Sequence, residues 1–222
     1  MRKYITDKVG NTPTFFRIKD IDIFEKDVLP SHLNLNTLLR MIEKTVPQCF
    51  YQGIKAIHIG SYEEFERRDT NAFYRNKELY VSNKQDNYSD ILDDIVHEIA
   101  HHVETLYPEE TYSDTTLISE FLRKRLELEF ELKSEGYWTN EYDFRNMKYS
   151  KSFDEFLYKR VGKNMLAMTT SGLFIRPYSA ISMREYFATG FEAYYLGQKD
   201  ILFKISPALY KKISDLQNNH NK

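Results

Sequence analysis

The spacing of apolar residues divides the chain into a first half of short runs and a second half that repeats at helical period. A turn signal at Gly10-Asn11-Thr12-Pro13 separates two short strand-like runs. Leu35, Leu38, Leu39, Ile42 and Val46 then recur as one helix face up to Pro47. Residues 1–50 therefore read as an N-terminal structural subdomain, with 51–222 as the main domain. Ile54–Ile59 predicts a strand. Residues 72–83 predict a hairpin that turns at Arg75-Asn76-Lys77 and returns through Leu79, Tyr80 and Val81. One helix is predicted from a cap at Ser89-Asp90 to Tyr107, where Pro108 stops it. Others are expected near 116–134, 152–166, 182–196 and 206–216, the last opened by Ser206-Pro207. Strands first and helices afterwards predict an α+β fold, a small mixed sheet followed by a mainly helical half.

Composition narrows the chemistry more than the fold. With 222 residues the chain can bury one sizeable core, and a formal net charge of -2 gives no electrostatic reason to expect nucleic acid or a membrane as partner. Cys49 is the single cysteine, so an intramolecular disulfide and a Cys-rich metal site are both excluded. Any metal ligands must come from His, Asp and Glu. The first residues lack the apolar core of a secretory signal, and no run approaches about 18 apolar residues. The expectation is a cytoplasmic protein, or one released without a recognisable signal peptide.

On the helix through His97-Glu98-Ile99-Ala100-His101, Leu92, Ile95, Val96, Ile99, Val103 and Leu106 form one face, while Asp94, His97, His101 and Glu104 form another. The core stripe is complete without a histidine. His97 and His101 are four residues apart, near enough for two imidazoles to reach one zinc at about 2.0–2.1 Å. Glu98 is turned away from His97 and can address a metal-bound water, whose pKa zinc lowers towards about 7, as general base. His102 lies about 140° around the helix from His97 and is not expected to bind the ion. Glu104, one turn past His101, is placed to support a ligand imidazole by a hydrogen bond.

A catalytic zinc takes a third protein ligand. Glu185 and Glu192 share one helix face but stand about 10 Å apart along the axis, so only one of them can serve. Ser182 and Glu185 also match a capping box, a purely structural use of that glutamate. The residues alone leave the choice open.

His97-Glu98-Ile99-Ala100-His101, followed by Glu185-Tyr186-Phe187-Ala188 and Phe191-Glu192-Ala193-Tyr194, resembles the catalytic domain of anthrax lethal factor and its relatives, which include the bacterial Pro-Pro endopeptidases. The resemblance covers roughly residues 54–210. It implies a zincin-like catalytic domain within 51–222, with Zn2+ held by His97, His101 and Glu185. It also implies a tyrosine hydroxyl acting on the transition state, at the position that Tyr178 occupies. Thr189 departs from the pattern, standing where relatives often have a second acid.

The expectation is thus a metalloendopeptidase that hydrolyses a peptide or protein substrate. The substrate is expected to run as an extended strand along Leu79, Tyr80, Val81 and Ser82, through an exposed sheet edge. A non-catalytic protein keeping the same fold is the alternative. It is disfavoured by Glu98, which metal binding does not require. His32 and His58 are expected to be packing or surface residues, and the charged run Glu120–Arg125 a solvated helix face.

Overall fold

The structure, a computed structural model, describes residues 14–18, 20–113 and 115–221, so the expected turn at Gly10–Pro13 lies outside the described residues. The chain forms two compact units, one of Met1–Lys44 with Tyr51–Ile99 and one of Thr45–Phe50 with Ala100–Lys222. The fold is α+β, as the order of elements predicts. No helix among the described residues is long and apolar enough to cross a membrane.

In the first unit, β1 (Thr14–Ile18), β2 (Ile21–Glu25), β3 (Ala56–Ile59), β4 (Ala72–Arg75) and β5 (Glu78–Val81) form one sheet in the order β1-β2-β3-β5-β4. The β2–β3 and β3–β5 pairs are parallel; β1–β2 and β4–β5 are antiparallel. Alternation explains the two faces. Ile23, Ile57 and Leu79 sit side by side in register and are buried. One residue on, Phe24, His58, Tyr80 and Phe73 stack across four strands at centroid spacings of 5.1, 4.6 and 4.6 Å. The β4–β5 turn uses Asn76 and Lys77, both at positive φ, as a two-residue hairpin turn requires.

β1 and β2, which fall within the expected subdomain 1–50, belong to the same sheet as β3, β5 and β4. One expectation changes here: Leu79–Val81 offers no exposed edge. β5 is hydrogen-bonded to β3 on one side and β4 on the other, and the Ser82 amide donates to the Asn71 carbonyl. Alternating hydrophobicity assigns faces and not strand order, so an interior strand and an edge strand read alike. Among the described residues the end strand on this side is β4.

The helices of this unit include α1 (Leu35–Thr45), whose predicted face Leu35, Leu38, Leu39 and Ile42 is buried. The short α2 (Gln48–Tyr51), most of it in the second unit, follows in the chain, and α3 (Glu63–Arg68) returns to the first. Then α4 (Tyr88–Leu106) runs without a break through Ile99 into the second unit. Its cap is Asn87, not Ser89-Asp90: the Asn87 carboxamide oxygen accepts the amides of Ser89 at 2.8 Å and Asp90 at 3.0 Å.

The second unit is helical: α5 (Pro108–Tyr112), α6 (Thr115–Ser134), α7 (Lys151–Glu155), a π-helix (Phe156–Val161), α8 (Lys163–Thr170), a 3₁₀ turn (Pro177–Ala180), α9 (Met183–Tyr195), α10 (Lys199–Ile205) and α11 (Pro207–His220). The run expected as one helix over 152–166 breaks at Gly162, whose φ of 84 no helix accommodates. Gly190 lets α11 close on α9, since a Cβ there would run into the Leu209 side chain.

The charged run in α6 is not a solvated face. Glu120, Lys124 and Arg125 are buried. The Glu120 carboxylate accepts the Ala208 and Leu209 amides at 2.9 and 3.1 Å and the Tyr186 hydroxyl at 2.7 Å. It caps α11, the role expected of Ser206, while the Ser206 hydroxyl accepts from Lys124 Nζ at 2.9 Å. Burial pulls the Lys124 pKa down to about 8. Its three acceptors, Leu173 O, Ile205 O and Ser206 Oγ, nonetheless match the three donors of an ammonium. Glu120→Ala leaves the Ala208 and Leu209 amides and the Tyr186 hydroxyl without their acceptor and should cost about 1–3 kcal/mol for each donor left unsatisfied, whereas Glu120→Gln, which keeps an acceptor, should cost clearly less. Urea denaturation of the two variants checks the order.

Candidate metal centre

α4 presents its core stripe and its polar face as the periodicity predicts. Leu92, Ile95, Val96, Ile99 and Val103 are buried. His97 and His101 follow one another at a single helical turn on the other side. His97 is partly exposed, whereas His101 and Glu98 are each 6% exposed. His102 is fully buried and is not among the residues of the candidate ligand group.

Glu185 comes from the first turn of α9. Ser182 caps that helix, its hydroxyl accepting the Glu185 amide at 3.2 Å. The backbone of Glu185 is thereby used for capping while its carboxylate points elsewhere. Glu185 Oε1 lies 3.8 Å from His101 Nε2. One donor atom from each of His97, His101 and Glu185 falls within 4.8 Å of the others. Tetrahedral zinc wants donors about 3.3 Å apart, a difference that small side-chain rotations cover. Two imidazoles and a carboxylate are one of the donor sets found in catalytic zinc sites.

The other imidazole nitrogen of His101 is already engaged. Nδ1 lies 2.7 Å from Glu104 Oε2, and the Tyr112 hydroxyl donates to Glu104 Oε1. Arg184 Nε lies 3.0 Å from the same Nδ1 and 3.5 Å from Glu104 Oε2. A protonated Nδ1 cannot also accept from Arg184. We place the proton on Nδ1, donating to Glu104, with Arg184 pairing the carboxylate by charge. This satisfies a buried anion and leaves Nε2 as a lone pair facing Glu185. Glu104 thus takes the supporting position its spacing suggests. Tyr112 and Arg184 carry no signal in the sequence beyond the adjacency of Arg184 to Glu185.

Glu192, the alternative to Glu185, is committed to another partner. It is buried, and its Oε2 lies 2.8 Å from Arg176 Nη1, an ion pair in which that oxygen makes no well-aligned hydrogen bond. It is not a member of the group around His101.

Tyr178 sits in the 3₁₀ turn seven residues before Glu185, with 42% of its surface exposed. Burial of the remainder raises its pKa, and the Glu185 and Asp154 carboxylates raise it further. The phenol stays protonated and remains a hydrogen-bond donor. Tyr149 and Tyr158, also near Asp154, are each pushed up to about 12, chiefly by burial. The Tyr149 hydroxyl donates to Asp154 at 3.0 Å. These phenols line the same stretch of the second unit, and sequence spacing gave no reason to group them.

No family model matches the chain, and no curated protein or solved structure matches it either.

Proposed function

We propose that this chain is a zinc-dependent metalloendopeptidase of the HExxH class, a relative of the lethal factor and Pro-Pro endopeptidase group with a zincin-like catalytic domain. The observation that carries the reading is the convergence of Glu185 on His97 and His101. Helical period alone accounts for two histidines one turn apart. It does not account for a carboxylate from α9 at the lone-pair nitrogen of His101, with the opposite nitrogen held by Glu104.

In this reading His97, His101 and Glu185 hold the ion. When bound, zinc supplies Lewis acidity that acidifies water and polarises a carbonyl. The chain's own residues do the rest. Glu104 fixes the tautomer and the ring plane of His101. Glu98 takes a proton from the attacking water and returns it to the nitrogen of the leaving amine, so that one water is consumed for each peptide bond cleaved. The Tyr178 hydroxyl donates to the negative charge that develops on the carbonyl oxygen.

Elemental analysis and digestion of a diverse peptide library, with and without a chelator, test the reading. The expected result is one zinc per chain and internal cleavage that the chelator abolishes. A folded chain that takes up no zinc overturns the whole proposal. A zinc-loaded chain that cuts nothing overturns its catalytic half and leaves a metal-binding protein.

A further inference from the structure

Arg125 of α6 is among the least exposed side chains of the protein, and no carboxylate lies within ion-pair distance of it among the described residues. Its guanidinium is spent on backbone. Nη1 donates to the Ala180 carbonyl at 2.8 Å and the Ile181 carbonyl at 3.2 Å, and Nη2 to the Asp143 carbonyl at 3.3 Å. Its central carbon stands 4.0 Å over the Phe153 ring and 5.6 Å from the rings of Phe121 and Phe144. Nε makes no hydrogen bond.

A buried cation whose one nearby acid, Asp143, acts on it through space without a direct ion pair is a poor way to fill a core, because an apolar side chain avoids the desolvation cost. What the guanidinium does that an apolar chain cannot is hold two successive carbonyls through Nη1 and a third, that of Asp143, through Nη2. Those carbonyls occupy a particular place. Ala180 ends the 3₁₀ turn that carries Tyr178, and Ile181 immediately precedes Ser182, the cap that sets the first turn of α9 and hence Glu185. A second tether reaches the same turn from the other side: Ser179 Oγ and Thr189 Oγ1 are 2.6 Å apart, and Thr189 Oγ1 donates to the Glu185 carbonyl at 2.8 Å. Thr189 ties the turn to α9, and Arg125 ties it to α6.

We infer that Arg125 is a positioning residue of the proposed hydrolytic site, holding the Pro177–Ser182 segment so that the Tyr178 hydroxyl and the Glu185 carboxylate keep a fixed relation. The inference rests on the functional reading above. It assigns Arg125 no contact with substrate or metal; its effect runs through Tyr178.

A double-mutant cycle with a second, non-kinetic measurement tests it. Arg125→Met keeps the aliphatic stem and removes the guanidinium, and with it both the carbonyl bonds and the stacking on Phe153. On the zinc-loaded enzyme, kcat should fall by about 10–100-fold, the scale of a displaced catalytic group. KM and zinc content should change by less than about twofold. In a Tyr178→Phe background the same substitution should change kcat by less than about twofold, because the group it positions is already gone. Equal losses in both backgrounds overturn the inference. Hydrogen exchange, which needs neither substrate nor metal, should quicken at the Ser179, Ile181 and Glu185 amides and stay unchanged in β3 and β5. Uniform quickening across the chain reduces Arg125 to a general stability residue. Should Arg125→Met fail to fold, Arg125→Lys, which gives up the Nη2 bond to Asp143 and the stacking on Phe153, carries both measurements, with smaller changes in the same direction. A wild-type chain with no zinc and no hydrolysis overturns the functional reading instead, and the exchange measurement then decides the tether alone.

Discussion

Glu98→Gln is expected to leave the zinc content and the helical fold unchanged while hydrolysis falls by about 10²–10⁴-fold, the usual worth of a positioned general base. The substitution preserves size and hydrogen-bonding capacity at a residue that is 6% exposed on α4, between the two candidate ligands His97 and His101. It removes the one property the mechanism needs, an oxygen that can accept a proton from water and release it to the departing nitrogen. An amide does neither near neutral pH. The effect should appear in kcat, with KM little altered, because the proton moves only as the transition state forms. A Glu98→Gln enzyme that turns over at close to the wild-type rate would remove Glu98 from the mechanism even if the zinc site stands.

The sequence made the centre of this site readable because both histidines and the glutamate proposed as general base lie on one helix, where a period of about 3.6 residues fixes every angle. The same logic set His102 aside, and it places Glu104 next to His101, where the structure has it. Legibility stopped where the chain had to return from a distance. Glu185 and Glu192 are equivalent on a helical projection, and what separates them is Arg176, which sits against Glu192. No local pattern announces that pairing. The charges of α6 failed for a related reason. Glu120, Lys124 and Arg125 look like a solvated face because their partners, the amides of Ala208 and Leu209 and the carbonyls of Leu173, Ala180, Ile181 and Ile205, are backbone groups that carry no side-chain signature. Strand order is equally silent. Both β4 and β5 alternate, and only the pairing of β5 with β3 puts it inside the sheet.

Glu185→Ala and Tyr178→Phe should fail in different ways, and the contrast tests the third ligand and the hydroxyl together. Glu185→Ala removes the only carboxylate of the candidate ligand group. Loss of an outer-shell partner typically costs about 10–100-fold in metal affinity, so loss of a direct anionic ligand should reach at least the top of that range. Activity should then follow zinc occupancy and recover in part at high zinc. Tyr178→Phe removes one oxygen from a residue outside that group, so zinc titration should match wild type. The phenol is held protonated by burial and by the neighbouring Glu185 and Asp154 carboxylates, which makes it a donor and not a base. Losing one such donor to a developing oxyanion should lower kcat by about 10²–10³-fold with KM nearly unchanged, and added zinc should restore nothing. Glu192→Gln supplies the control for the helix itself. It disturbs a buried pair with Arg176 and should lower stability, yet it should bind zinc as the wild type does. If Glu192→Gln empties the site while Glu185→Ala stays loaded, the ligand is two helical turns from where the geometry puts it, and the case for Tyr178 falls with it.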